Sequence, residues 1–201
     1  MEGKILLSTA YLPPVEYFSV ISGSSDIVIE KEENYMKQTY RNRCYILSSH
    51  GPQILSVPAL LGTAHKTLVR DVRIDYSKRW QQVHIGALIA AYNSSPYFEY
   101  YFDDLLKTIS RNHNFLLDLN TELTYLILNI LKINKTLSYT SDYLPANNYS
   151  CDYRYLISPK KKSSYIRKDY TQVFALGNKF NPRLSIVDLI FNMGPDSLDY
   201  L

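Results

Sequence analysis

Lys4-Ile5-Leu6-Leu7-Ser8, then Tyr11-Leu12-Pro13-Pro14, then Val15 to Gly23, then Asp26-Ile27-Val28-Ile29-Glu30: this opening stretch decides the fold. Residues 4 to 8 read as a short apolar strand that runs into a proline turn. Val15, Phe18, Val20 and Ile21 then recur at helical spacing up to Gly23, which ends the run. Asp26 to Glu30 is a second strand. Strand, turn, helix and strand in that order make a βαβ unit, whose right-handed crossover requires the two strands to be parallel. The expected fold is therefore α/β: a single domain over residues 1–201, with a mostly parallel sheet, mixed edge strands and covering helices.

Working outward, Tyr45-Ile46-Leu47 and Ile54-Leu55-Ser56-Val57 flank Gly51-Pro52 as a hairpin, and Leu68 to Asp75 alternates like a further strand. Three helices follow. Trp80, Val83, His84, Ala87, Leu88 and Ala91 recur at three and four before Ser95-Pro96, Phe98 to Ser110 is amphipathic, and Asn120 to Leu131 starts at a capping residue. Ser138 to Lys168, rich in Tyr, Ser, Asn and Lys, reads as a surface excursion with Tyr153 to Ile157 as its strand candidate. Asn181-Pro182 and Gly194-Pro195 bracket a nearly all-apolar helix, with Asn181 as its expected cap. At helical spacing Ser185, Asp188 and Asn192 form its polar stripe, which must meet either an internal hydrogen-bond network, the commoner outcome, or a polar cavity.

At 201 residues, 46% hydrophobic and 20% charged, the composition is that of an ordinary globular protein. A net charge of +3 demands neither a nucleic acid nor a membrane, so no nucleic-acid partner and no membrane insertion are expected. Lys4 to Leu7 is too short for a signal core, and Cys44 and Cys151 supply neither a disulfide framework nor metal spacing. These features predict a cytoplasmic protein with no cofactor and no metal. Lys160-Lys161-Lys162 with Arg167 and Lys168 reads as solubilising. His65 and the sequon at Asn148-Tyr149-Ser150 carry no assignment.

The candidate site residues come from three places. Lys37, Arg41 and Arg43 surround Asn42 ahead of a strand, and this is equipment for a diphosphate or carboxylate, although a solvated basic edge has the same composition. Tyr11 follows the first strand, where open α/β sheets bind ligands. His84 lies one helical turn beyond Trp80, and a carboxylate or ligand nearby would make it a general base rather than a core-edge histidine. No GxGxxG or P-loop pattern is present.

Tyr11-Leu12-Pro13-Pro14 with Tyr17-Phe18, Tyr40-Arg41-Asn42-Arg43, Ser56-Val57-Pro58, Trp80 with His84, Ser95-Pro96-Tyr97-Phe98, Asp118-Leu119-Asn120 and Leu184 to Pro195 occur in an order that resembles the WbqC-like family. That family accompanies genes for bacterial surface polysaccharides such as O-antigen. The resemblance implies a protein of surface-polysaccharide biosynthesis whose partner is a nucleotide-linked sugar or acyl donor. The implied enzyme is an acyl or aminoacyl transferase acting on a nucleotide-linked amino sugar. It further implies that Arg41, Asn42, Arg43, His84, Asp188 and Asn192 line one pocket. In the expected enzyme His84 and Asp188 are catalytic, and Tyr11, Lys37, Trp80 and Ser185 join the binding candidates on the residue patterns above. Where the family's pattern opens with His-Gln-Pro, this chain has Ser8-Thr9-Ala10, and the family's glycine loop has no counterpart in residues 143 to 168. A non-catalytic relative that binds a nucleotide sugar or a partner is the alternative.

Overall fold

A computed structural model of the chain describes residues 3–61, 66–144, 149, 151–163, 165, 168–175 and 180–201. His65, Arg167 and the sequon residues Asn148 and Ser150 lie outside the described residues.

The opening stretch forms the βαβ unit its pattern dictates. β1 (Lys4–Ser8) and β2 (Asp26–Glu30) pair in parallel from Lys4 opposite Asp26 to Ser8 opposite Glu30, and α1 (Val15–Ser22) connects them. The α1 helix starts after Pro14, extended at φ −68° and ψ 163°, and ends where the Gly23 N–H reaches back to Ser19 and Ile21. The hairpin of β3 (Arg43–Ser48) and β4 (Gly51–Ser56) turns through Ser49 and His50, with Gly51 at φ +102°, a conformation open to glycine. β5 (Ala59–Leu60) and β6 (Arg73–Ile74) form a second antiparallel pair. β7 (Leu137–Tyr139) and β8 (Cys151–Asp152) then add to the first sheet, giving the order β7-β2-β1-β8 with every pairing parallel.

Three helices, α2 (Trp80–Tyr92), α3 (Phe98–Ser110) and α4 (Leu116–Ile130), follow one another, with α3 packed against both neighbours. The last helix, α5 (Ile186–Met193), is buried over most of its length and passes into a 3₁₀ segment from Gly194 to Tyr200. Phe191 of α5 packs on Tyr92 of α2 and Phe98 of α3 at ring separations of 5.3 and 5.1 Å. Ile5, Leu7, Phe18, Ile27, Leu123 and Leu189 belong to one continuous core cluster, and each such side chain contributes roughly 1.5–3 kcal/mol by leaving water. Gly194 sits at φ +53°, and a Cβ there would run into the Tyr97 ring.

Four expectations change. Leu68 to Asp75 is a 3₁₀ turn at Val69–Asp71 followed by the two-residue β6; Val72 and Ile74 are buried as the alternation implies, but the turn at its start leaves only two residues paired as strand. The α4 helix starts at Leu116, so Asn120 lies within it, fully buried. Residues 138–168 include two strands of the main sheet. β8 stops at Asp152, and Tyr153 to Ile157 forms a turn whose Leu156 and Ile157 N–H groups return to the Tyr153 carbonyl. The final helix is capped by Ser185, whose Oγ accepts from the Val187 N–H, while Asn181 to Leu184 precedes it as non-helical chain.

Candidate functional site

The strand order places β1 beside β2 on one side and β8 on the other, while the chain leaves β1 through α1 toward β2. The carboxyl ends of β1 and β8 therefore flank the point where the winding changes side, the usual ligand crevice of open α/β sheets. Buried charges crowd there. Arg41 donates from Nε and Nη2 to the two oxygens of Glu33 at 2.8 and 2.6 Å, and its Nη2 also reaches Ser8 Oγ at 2.7 Å. Arg154 donates to Glu30 at 2.9 Å and to Asp152 at 2.7 Å. Glu30 also accepts from Thr140 Oγ1 and the Glu32 N–H, both at 2.7 Å. Glu30, Glu33, Arg41 and Arg154 are each 3% exposed or less.

The ring of Tyr155 lies 5.8 Å from each of the two guanidinium groups, and Tyr143 covers Arg154 at 4.7 Å. Burial alone would loosen the Arg154 proton, but Asp152 and Glu30 hold it above the ordinary arginine range. Charges this deep persist because each meets its opposite and its remaining hydrogen-bonding capacity is filled. The arginines thus pin the ends of three parallel strands together.

A narrow crevice opens beside this cluster, lined by Ser8, Thr9, Ala10, Tyr17, Tyr40, Arg41, Tyr153 and Ile157, with about 10 Å³ of space. That is room for one water. Asn120 steadies its floor by donating to Thr9 Oγ1 at 3.1 Å and to the Arg41 carbonyl at 2.8 Å, and the Tyr17 hydroxyl donates to the Ser8 carbonyl at 2.9 Å. Tyr40 is also a wall of a larger cavity of about 250 Å³, which Tyr45, three prolines and Arg183 help to enclose. Glu16, half-buried in the first turn of α1, bears on Tyr40, Tyr153 and Arg183. Burial raises its pKa, against the opposing pull of Ser163 and Arg183.

Most of the residues nominated from the sequence fall into three groups. Arg41 belongs to the strand-end cluster, and Asn42 beside it donates to the Val57 carbonyl at 2.8 Å. Arg43 is half-buried opposite Ser56 in the hairpin, and Lys37 is exposed. Tyr11, Trp80 and His84 form the second group. His84 Nδ1 lies 2.8 Å from the Tyr11 hydroxyl, and the Trp80 ring meets the imidazole edge-on at 5.1 Å. Burial pulls the His84 pKa down to about 4, only partly offset by a hydrogen bond with the Ser56 backbone. At 2% exposed and neutral at pH 7, this imidazole has the environment of a core hydrogen-bonding residue.

Asp188 anchors the third group. Its Oδ2 accepts from the Tyr170 hydroxyl at 2.7 Å and from Gln172 Nε2 at 2.9 Å, and Gln172 in turn holds the Asn181 backbone through both its N–H and carbonyl. Burial raises the Asp188 pKa to about 6, with Tyr170, Tyr92 and Gln172 pulling the other way. Asn192 donates to the Asp188 backbone carbonyl at 2.7 Å, and Ser185 caps the helix. The polar stripe of α5 is therefore met by an internal network. Among the described residues no group of His, Cys, Asp and Glu could hold a metal ion.

A protein-family model described as the WbqC-like protein family matches residues 9–163. The chain belongs to this family. A protein of Mycobacterium tuberculosis named Uncharacterized protein Rv1507c is similar to this WbqC-like chain, at 27% identity over 230 aligned positions that cover 100% of this chain and 98% of that protein. No solved structure matches the WbqC-like chain. The matched span contains the crevice residues from Thr9 to Ile157, whereas Arg183, Asp188 and Asn192 lie beyond it. Ser8, Thr9 and Ala10 form part of the crevice lining. Among the described residues no helix is long and apolar enough to cross a membrane.

Sequence reasoning missed Glu16, Glu30, Glu33, Tyr40, Asp152 and Arg154. The one local signal was that Glu30 closes β2, Asp152 closes β8 and Arg154 follows it, so all three stand at carboxyl ends.

Proposed function

We propose that this WbqC-like protein serves bacterial surface-polysaccharide biosynthesis by binding a nucleotide-linked sugar along the carboxyl end of β1. The observation that carries the reading is the crevice itself. It sits at the switch point of a parallel sheet, and Ser8, Thr9, Tyr17, Tyr40 and Tyr153 gather hydroxyl groups around one buried guanidinium. Hydroxyls that both donate and accept suit the hydroxyl groups of a sugar resting at its mouth. Among the described residues that line the crevice there is no carboxylate and no imidazole, and binding is the role proposed for it.

Acyl or aminoacyl transfer to an amino sugar is the second reading, and Glu16 is the observation that favours it. A half-buried carboxyl with a raised pKa, in the first turn of the helix that follows β1, is suited to accept a proton from an attacking amine. The reading does not use His84 as the base.

Titration calorimetry of the purified protein against a panel of nucleotide sugars tests the proposal. Saturable binding of at least one member, weakened in Tyr40→Ala, is the expected result. The absence of saturable binding across the panel overturns it. If a binder also turns over with an acyl donor, Glu16→Gln abolishes turnover while leaving affinity nearly intact.

A further inference from the structure

The 250 Å³ cavity next to the crevice has a different chemistry from the crevice itself. Its walls come from the β3–β4 hairpin (Tyr45 and Pro52), from Tyr40 just ahead of it, from Pro159, and from the turn at Asn181 to Leu184 before α5. The Ser185 N–H donates to the Tyr45 carbonyl at 2.7 Å, which fastens that stretch to the hairpin. Gln172 clamps the Asn181 backbone from behind, and Arg183 donates to the Pro159 and Lys161 carbonyls, fixing the loop opposite. The cavity is thus held on every side before anything enters, which lowers the ordering cost of binding.

We propose that this cavity takes the nucleobase of a nucleoside diphosphate, with Arg183 facing the phosphates. The inference rests on the nucleotide-sugar reading above and assigns the two halves of that ligand to different places. The Tyr40 and Tyr45 rings stand 6.1 Å apart at 77°, so they offer the corner formed by one face and one edge. A flat heterocycle fits such a corner by stacking on one ring and meeting the edge of the other. The prolines Pro52, Pro159 and Pro182 extend the apolar wall without rotamer entropy to lose. A hexose buried here would leave most of its hydroxyl groups unpaired, which is costly, whereas a base needs only one or two edge contacts.

The Asn181 amide and the Arg183 guanidinium stand where the polar contacts are needed. Arg183 spends donors on two carbonyls and interacts with the nearby Glu16 carboxyl, and the rest of its five N–H groups are those the proposal assigns to phosphate oxygens. Tyr40, shared by both spaces, lies between the base cavity and the crevice, where the ribose and diphosphate linking the two would pass, so the sugar end points toward Ser8, Thr9 and Ala10.

The test titrates nucleoside diphosphates, free nucleosides and inorganic pyrophosphate into the wild-type protein, Tyr45→Ala and Arg183→Gln, each first shown to melt cooperatively. The expected result is that Tyr45→Ala weakens nucleoside and nucleoside diphosphate alike by about tenfold or more, the loss one stacking platform carries, without changing pyrophosphate binding. Arg183→Gln weakens the diphosphates and pyrophosphate and spares the nucleosides. Saturation-transfer NMR on the wild-type protein needs no variant and should mark the base protons more strongly than the sugar protons. Nucleotide binding that neither variant changes, with saturation strongest on the sugar, overturns the cavity assignment and leaves the nucleotide-sugar reading standing. No binding by any nucleotide overturns both.

Discussion

Two buried charged regions in this molecule resolve the same problem in opposite ways. At the carboxyl ends of β1, β2 and β8, Glu33 and Glu30 meet Arg41 and Arg154, so opposite charges share one enclosure. On α5, Asp188 is just as deeply buried, but the donors that reach its Oδ2, Tyr170 and Gln172, are neutral. The first arrangement ties strands together with charge. The second leaves a carboxylate that holds its proton up to about pH 6. Burial alone therefore does not mark a functional group; what surrounds the charge decides whether it is a fastener, a proton-holding residue or a free binding group.

The largest effect is expected at the first region. Arg41→Ala strands Glu33 in the interior and costs about 3–5 kcal/mol in urea denaturation, whereas the double variant Arg41→Met/Glu33→Leu recovers most of that loss. A loss under 1 kcal/mol in the single variant would mean the pair is solvated in solution, since roughly that is all an exposed pair contributes. Gly194→Ala comes next, because a side chain there meets both the Tyr97 ring and an unfavourable φ. It should lower stability by about 1–3 kcal/mol in the same measurement, the range of overpacked sites.

The second region predicts a pH signature. The folded Asp188 binds a proton more tightly than the unfolded chain does, so its contribution to stability is highest below pH 4 and declines as pH rises toward and past about 6. His84 runs the other way. Its folded pKa of about 4 lies below the unfolded value, so its contribution is complete above about pH 6.5 and is lost as pH falls through 6 toward 4. The two trends offset each other in the intact protein. Melting curves at pH 7 and pH 5 should show Asp188→Asn losing more stability on acidification than the wild type, and His84→Gln losing less. Identical pH profiles for all three would contradict both assignments. The smallest effect is expected at Lys37, where replacement by Ala should change stability by less than about 0.5 kcal/mol, as at an exposed site without partners.

The contrast also explains what the sequence made legible. The βαβ unit, the hairpin and the α2 and α3 helices follow from local periodicity and turn residues, and they fold where that pattern puts them. The start of α5 departs from the pattern because Asn181-Pro182 carries a cap signature while that stretch is a turn whose Asn181 backbone is held by Gln172. The strand-end cluster was invisible for a different reason. Glu30 and Arg154 are joined at 2.9 Å across a long span of chain, and Arg154 sits in a tyrosine- and lysine-rich stretch whose composition resembles a surface loop. The Asp188 stripe was visible as a helical pattern, but not its partners Tyr170 and Gln172. Arg41 was legible as a cation beside a strand, yet nothing local told that Glu33 occupies it. The residues proposed to hold a ligand, Tyr40, Tyr45 and Arg183, are instead far apart in sequence and meet only around one cavity.

The central claim is that ligand binds along the carboxyl end of β1 and not at the buried groups of α2 and α5. Amide chemical-shift mapping of the isotope-labelled protein during titration with a nucleotide sugar tests it most directly. The account predicts shifts that concentrate at Ser8 to Ala10, Tyr40, Tyr45 and Arg183, with His84, Asp188 and Asn192 little changed. Saturable shifts centred on His84 and Asp188, with the β1 end silent, would contradict it.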